Sequence, residues 1–161
     1  MQPGQWSFTP IKTSDLAAVH TLNKQYQHLL SPLTLEELRI ILSQCFYHRC
    51  VEGGKAFITA MDNQSEHDGE NFRWFKRRYD SFVYVDRIAI DKSHQRQGLA
   101  VSFYEDLEKE TRKSGRAYLC AEVDLLPPNQ ASIDFHIAMG FASVGTGRSK
   151  NKTVQYFAKA V

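Results

Sequence analysis

Apolar positions along the chain change their period several times, and each change marks a new element. Residues 13–30, TSDLAAVHTLNKQYQHLL, set Leu16, Val19, Leu22 and Tyr26 at helical spacing behind a Ser/Asp start. Residues 31–46 predict a second helix, with a Thr34/Glu37 capping box and Leu38, Ile41, Leu42 and Cys45 on one face. Ahead of both, WSFTPI (6–11) alternates like a short strand, and HRCVEGGKAFITAM (48–61) reads as a hairpin turning at Gly53 and Gly54. SFVYVDRIAID (81–91) is rich in β-branched and aromatic residues and predicts a strand. The helix after it carries Leu99, Phe103 and Leu107 on one face and ends at Gly115. A strand at 116–123 follows, then a short helix within 127–141 that starts behind two prolines and stops at Gly140. FASVGT and TVQYFAKAV close the chain as two strands. The predicted order is β-α-α-β-β-β-α-β-α-β-β, a mixed α/β (α+β) domain. Only residues 62–80 show no clear period, and they are expected to form a long loop.

Composition narrows the classes without choosing among them. At 161 residues the chain, taken as 1–161, is about one domain long, with 42% hydrophobic and 24% charged residues. A formal net charge of +2 gives no support to a nucleic-acid partner. Apolar runs such as AFITAM (56–61) are too short for a membrane span, and MQPGQWSFTP lacks a signal-peptide layout. Three cysteines, Cys45, Cys50 and Cys120, cannot all pair and lack zinc-type spacing. Reduced thiols, a cytoplasmic location and no metal are the expectations that follow.

The chemistry concentrates in two places. HQRQGLA (94–100) stands between a strand and a helix, with Gln95, Gly98 and Ala100 as Q-x-x-G-x-A. A helix N-terminus offers unpaired N–H groups, and a glycine there lets an anion approach the backbone closely. Further on, Asn129 opens N-x-x-S-x-x-F-H-x-x-x-G-F, which ends at Gly140 and Phe141. The two patterns, in this order and context, resemble the GNAT superfamily of acetyl-CoA-dependent N-acetyltransferases over roughly residues 82–141. The resemblance implies a splayed, mostly antiparallel sheet of six to seven strands flanked by about four helices. It also implies acetyl-CoA as cosubstrate, held between the two central strands.

Roles carried over from that resemblance fall on definite positions. The backbone of Ile88, Ala89 and Ile90 would bond the pantetheine amides. Gln95, Arg96, Gln97, Gly98, Leu99, Ala100 and Val101 would wrap the pyrophosphate, with N–H groups offered from Arg96 to Val101. Asn129, with Ser132 in the same motif, would meet the cofactor arm, unless Asn129 serves only as a helix N-cap. Asp86 lies near the position of the glutamate base in the histone acetyltransferase branch. It shares a strand face with Ile88 and Ile90, where apolar surroundings are expected to raise its pKa. A structural ion pair is the alternative, for which Arg87 is a poor partner because adjacent strand residues face opposite ways. His136 departs from the tyrosine that most relatives use to protonate the leaving thiolate. Either it donates in that tyrosine's place or it fills space. Trp74, Phe75 and Tyr79, set among Arg73, Lys76, Arg77 and Arg78 in the 62–80 segment, are candidates for lining an acceptor pocket or covering the cofactor, with anchoring of the loop as the alternative. The expected partner is an amine on a small molecule, amino acid or peptide, taken up by direct transfer in a ternary complex. A non-catalytic acyl-CoA-binding domain is the alternative class, and a homodimer is one candidate assembly.

Overall fold

The computed structural model describes residues 6–161, with the side chain of Ser149 excepted. MQPGQ, part of the stretch read above for a signal peptide, lies outside the described residues. Five α-helices and six strands follow one another as α1 (Leu16–Gln25), α2 (Leu35–Gln44), β1 (Tyr47–Cys50), β2 (Ala56–Asp62), α3 (Glu70–Lys76), β3 (Phe82–Ile90), α4 (Leu99–Lys113), β4 (Tyr118–Leu126), α5 (Gln130–Ala138), β5 (Ala142–Ser149) and β6 (Lys152–Ala160). The strands are ordered β1-β2-β3-β4-β6-β5 in one sheet. The β1/β2, β4/β6 and β5/β6 pairs run antiparallel, and β3/β4 is parallel. Among the described residues, no helix is long and apolar enough to cross a membrane.

The chain divides into two compact units. The first takes residues up to Met61 together with Asp86–Leu107. Its core gathers Leu16, Val19 and Leu22 from α1, Leu38 from α2, Phe57 from β2 and Ala89 from β3. Burying a leucine or phenylalanine side chain contributes about 1.5–3 kcal/mol, so this apolar face is what holds α1 and α2 in place. The expected capping box forms at the start of α2: Thr34 Oγ1 accepts from Glu37 N–H at 3.1 Å, and Glu37 Oε1 accepts from Thr34 N–H at 2.9 Å. The hairpin turns where expected, with φ of 77° at Gly53 and 65° at Gly54.

The second unit holds Asp62–Val85 and Glu108–Val161. Aromatic rings dominate its core. Phe72, Phe75 and Phe82 have no exposed surface, and Tyr84, Tyr156 and Phe157 are at most 3% exposed. The β3/β4 register pairs Phe82 with Tyr118 and Tyr84 with Cys120, while β3 runs on to Ile90 and β4 to Leu126.

Four expectations need correction. WSFTPI does not build a strand. It makes one antiparallel bridge, Thr9 to Cys50, and Pro10 supplies no N–H to extend it. The segment 62–80 is not a long loop, because α3 occupies its middle. Phe72 and Phe75, three apart, bury one face of a helix two turns long, too short for a period to stand out. Helix α1 ends at Gln25, not Leu30, since Tyr26 leaves helical geometry and donates its hydroxyl to the Ile90 carbonyl at 2.8 Å. Finally, Arg87 is a partner of Asp86 after all, with Nε 3.5 Å from the carboxylate. An arginine is long enough to fold back toward its neighbour, so strand alternation did not separate them.

Candidate active site

The turn that carries Gln95, Gly98 and Ala100 lies in the first unit. β3 ends at Ile90, and Asp91 caps the short turn Lys92–His94 by accepting from Ser93 N–H at 3.0 Å. Those hydrogen bonds from Ser93, side chain first, hold the Asp91 carboxyl below its ordinary pKa. Two residues then adopt left-handed backbone, Arg96 at φ 61° and Gly98 at φ 77°. Gly98 has no Cβ to resist this conformation, whereas Arg96 carries a real strain. The first intrahelical bond of α4 runs from Ser102 N–H to Gly98 O at 3.0 Å. The amides of Leu99, Ala100 and Val101 therefore point out of the helix start without intrahelical acceptors. Left-handed turns beside such amides make a concave set of N–H donors suited to phosphate oxygens. Arg96, exposed, adds a cation. A diphosphate such as that of coenzyme A fits this turn.

Other predicted residues of the turn hold it together. Gln95 donates to the Ile90 carbonyl at 3.0 Å and to the Tyr26 hydroxyl at 2.7 Å. Gln97 donates to Ser93 O at 3.3 Å, and its own carbonyl accepts from Trp6 Nε1 at 3.1 Å. These contacts commit both carboxamides to shaping the turn, and Ile90's carbonyl is taken up as well. Ile88 and Ile90 are half-buried, Ala89 packs into the core, and Leu99 is 2% exposed beneath the turn. Asp86 sits two residues before Ile88 with its carboxylate against Arg87. Arg87 is itself buried, donating to Asn23 Oδ1 at 3.0 Å and to the Ser31 carbonyl and hydroxyl, each at 2.7 Å.

In the second unit, Asn129 is the N-cap of α5, its side-chain oxygen accepting from Ser132 N–H at 3.3 Å. His136 lies one turn on, 4% exposed, stacked on Phe157 at 5.5 Å and edge-on to Phe141. Its Nδ1 is 2.7 Å from the Ser132 carbonyl, which places the proton on Nδ1. Burial pushes its pKa below 6.5, partly offset by that bond. The imidazole is therefore neutral at pH 7, and a neutral imidazole is a poor proton donor. His48, which accepts from Ile11 N–H at 2.9 Å, is also pushed down, by burial and then by Arg49. The folded state disfavours the protonated form of both rings. Their contribution to stability is complete above an unfolded pKa near 6.5 and is lost as pH falls from there through the lower folded values. Thermal melts from pH 7.5 to 5 should show falling stability, and His136→Phe should reduce that slope. An unchanged slope would remove His136 from the account.

The same unit contains a polar cluster that sequence reasoning passed over. Glu122 on β4 accepts from Tyr84 Oη at 2.9 Å and from Asn71 Nδ2 at 3.2 Å. Asn71 Oδ1 in turn accepts from Tyr156 Oη at 2.9 Å. Trp74 stacks on Tyr156 with centroids 4.1 Å apart, and Arg78 lies over Trp74 at 3.8 Å. A Cβ on Gly145 would fall 2.6 Å from the Trp74 ring, so that glycine is what lets the indole lie against β5. Of the three predicted acceptor aromatics, Trp74 belongs to this cluster, Tyr79 packs on Tyr118, and Phe75 is fully buried behind both. The one sequence signal for Glu122 was a lone carboxylate inside an apolar strand, AYLCAEV. The cysteines carry no comparable chemistry. Burial raises the thiols of Cys45 and Cys120 far above their usual range, and Cys50 is pushed up to about 11.

Comparison with known proteins agrees with this geometry. The model of the acetyltransferase (GNAT) family matches residues 24–141. No curated protein sequence matches the chain. Among solved structures, the Escherichia coli ribosomal-protein-S18-alanine N-acetyltransferase is 20% identical, with a TM-score of 0.70 over 96% of this chain and 92% of that one. NAA60 of Arabidopsis thaliana, solved with a bisubstrate analogue, is 16% identical with a TM-score of 0.76, covering 96% and 97%. The Salmonella typhimurium protein yncA, solved with acetyl-CoA, is 17% identical with a TM-score of 0.67, covering 96% and 92%. At these identities the structures speak for the fold, and the family match speaks for the sequence. With more than half of its length matched, the chain belongs to the acetyltransferase (GNAT) family.

Proposed function

We propose that this acetyltransferase moves the acetyl group of acetyl-CoA directly to a primary amine, on a peptide or small molecule, within a ternary complex. The observation that carries the reading is the left-handed Arg96–Gly98 turn opening α4, a phosphate cradle directly after the strand Phe82–Ile90. When bound, acetyl-CoA supplies an activated thioester, and the protein's part is to position an amine and take its proton. Direct transfer is favoured over a cysteine relay because all three thiols are held protonated by burial.

Two carboxylates are candidates for the proton acceptor. Asp86 is ion-paired with the Arg87 guanidinium at 3.5 Å, whereas Glu122 is held by two neutral donors, Tyr84 and Asn71. We assign the base to Glu122, acting directly or through one water, and the structural pair to Asp86. Tyr84 supplies the hydroxyl that is hydrogen-bonded to that base. His136, neutral and packed, serves as support for α5. That packing also favours the alternative of a binding domain without turnover, which an amine panel tests.

Acetyl-CoA at a hundredfold excess over its Kd should stabilise the fold by about 2.7 kcal/mol. For a chain this size that is a rise in Tm of roughly 5–10 °C. Gly98→Val, which costs about 1–2 kcal/mol in the left-handed region, should lose the shift. No shift in the parent at millimolar acetyl-CoA would remove the cofactor site. A shift without thiol release from any amine would leave the binding-domain reading.

A further inference from the structure

The cluster around Glu122 is bipolar. At one end is a carboxylate; at the other, across the Asn71–Tyr156 link and the stacked Trp74 ring, is the Arg78 guanidinium. We propose that this polarity selects the acceptor: a peptide whose free amino terminus is drawn to Glu122 and whose second or third residue is acidic and pairs with Arg78 and Arg77. The inference rests on the transferase reading above and adds the acceptor's class to it.

Three observations support it. Arg78 is exposed yet held in place, donating to the Trp74 carbonyl at 3.1 Å while lying over the Trp74 ring. A guanidinium fixed in this way loses little freedom on binding a carboxylate and presents a flat fork that matches it. Arg73, Arg77 and Arg78 enter none of the ion pairs found among the described residues, so this charge is not spent within the fold. Both ends also act on one atom between them. Burial, then Glu122 and Glu70, push the Tyr156 hydroxyl upward in pKa, while Arg78 and Arg77 oppose them.

Basic residues at the end of α3 also complement the helix dipole, and that alone would account for Lys76 and Arg77. It does not account for Arg78, which lies past the helix end and is pinned on the indole. The two ends lie apart: beyond the Asn71–Tyr156 link, the stacking steps from Tyr156 to Trp74 and from Trp74 to Arg78 measure 4.1 and 3.8 Å. A peptide with an acidic side chain beyond its first residue separates its amine from that carboxylate, whereas a free α-amino acid holds the two on one carbon.

The test is thiol release with acetyl-CoA and peptides of equal length bearing Glu, Ala or Lys at the second and third positions. Free glutamate serves as the short comparison. The acidic peptide should exceed the alanine peptide in kcat/KM by roughly three- to tenfold, and the lysine peptide should fall below it. The advantage should shrink as salt rises, because the pair is exposed. Arg77→Glu with Arg78→Glu should invert the order of the three peptides. Arg78→Gln, which keeps a flat amide over Trp74, should only flatten the order, and a melt checks that each variant is folded. Equal rates for all three peptides, faster free glutamate, or an order that survives the double reversal would overturn this selectivity with the transferase reading intact. No turnover of any amine would remove both.

Discussion

Glu122→Gln is expected to lower turnover roughly 10²–10⁴-fold while leaving acetyl-CoA binding intact, the usual size of a lost general base. Gln keeps an oxygen for the Tyr84 hydroxyl and the Asn71 amide, bonds of 2.9 and 3.2 Å, so the variant should fold. What it loses is the ability to take a proton from an ammonium. Its residual rate should therefore climb with pH as more of the amine arrives neutral. Asp86→Asn is the contrasting variant. It deprives the buried Arg87 of its carboxylate, which should cost about 1–3 kcal/mol of stability and leave the rate per folded molecule unchanged. Pre-steady-state and steady-state thiol release across pH 6–9 would decide between the two. If Asp86→Asn loses the rate and Glu122→Gln keeps it, the roles assigned here must be exchanged.

Phe75→Ala should destabilise the fold by about 3–5 kcal/mol, the range for removing a buried phenylalanine. Its ring packs against Trp74, Tyr84, Phe82 and Tyr156 at centroid distances of 5.1–6.4 Å, and none of it is exposed. Chemical denaturation would measure the loss as a lower midpoint with a similar slope. The milder Phe75→Leu should keep a near-parental KM for the acceptor, as expected for a ring that backs the site without touching substrate. A KM raised tenfold in a stable Phe75→Leu would return that ring to the acceptor surface, where the sequence of the 62–80 segment first suggested it.

The order and identity of most elements follow from the sequence because their signals are local. A capping box needs only Thr34 and Glu37, and the α4 face only Leu99, Phe103 and Leu107. The turn before α4 is local too, since Gln95, Gly98 and Ala100 fall within six consecutive residues, and this made the family legible. Helix α3 escaped because two turns with two phenylalanines do not establish a period against charged neighbours. The tertiary structure decided the rest, wherever partners are distant in the chain. Glu122 becomes a held carboxylate only when α3 brings Asn71, 51 positions away, and β3 brings Tyr84, 38 away. Asp86 looked like a base by its position, but Arg87 stays beside it because Asn23 and Ser31, 64 and 56 positions away, anchor the guanidinium. His136 holds the place of an acid in its motif, and the tertiary structure adds that Phe157 and Phe141 pack against it and that burial disfavours its charged form. Sequence spacing specifies what one segment can do by itself; charge, burial and reach belong to the segments that fold against it.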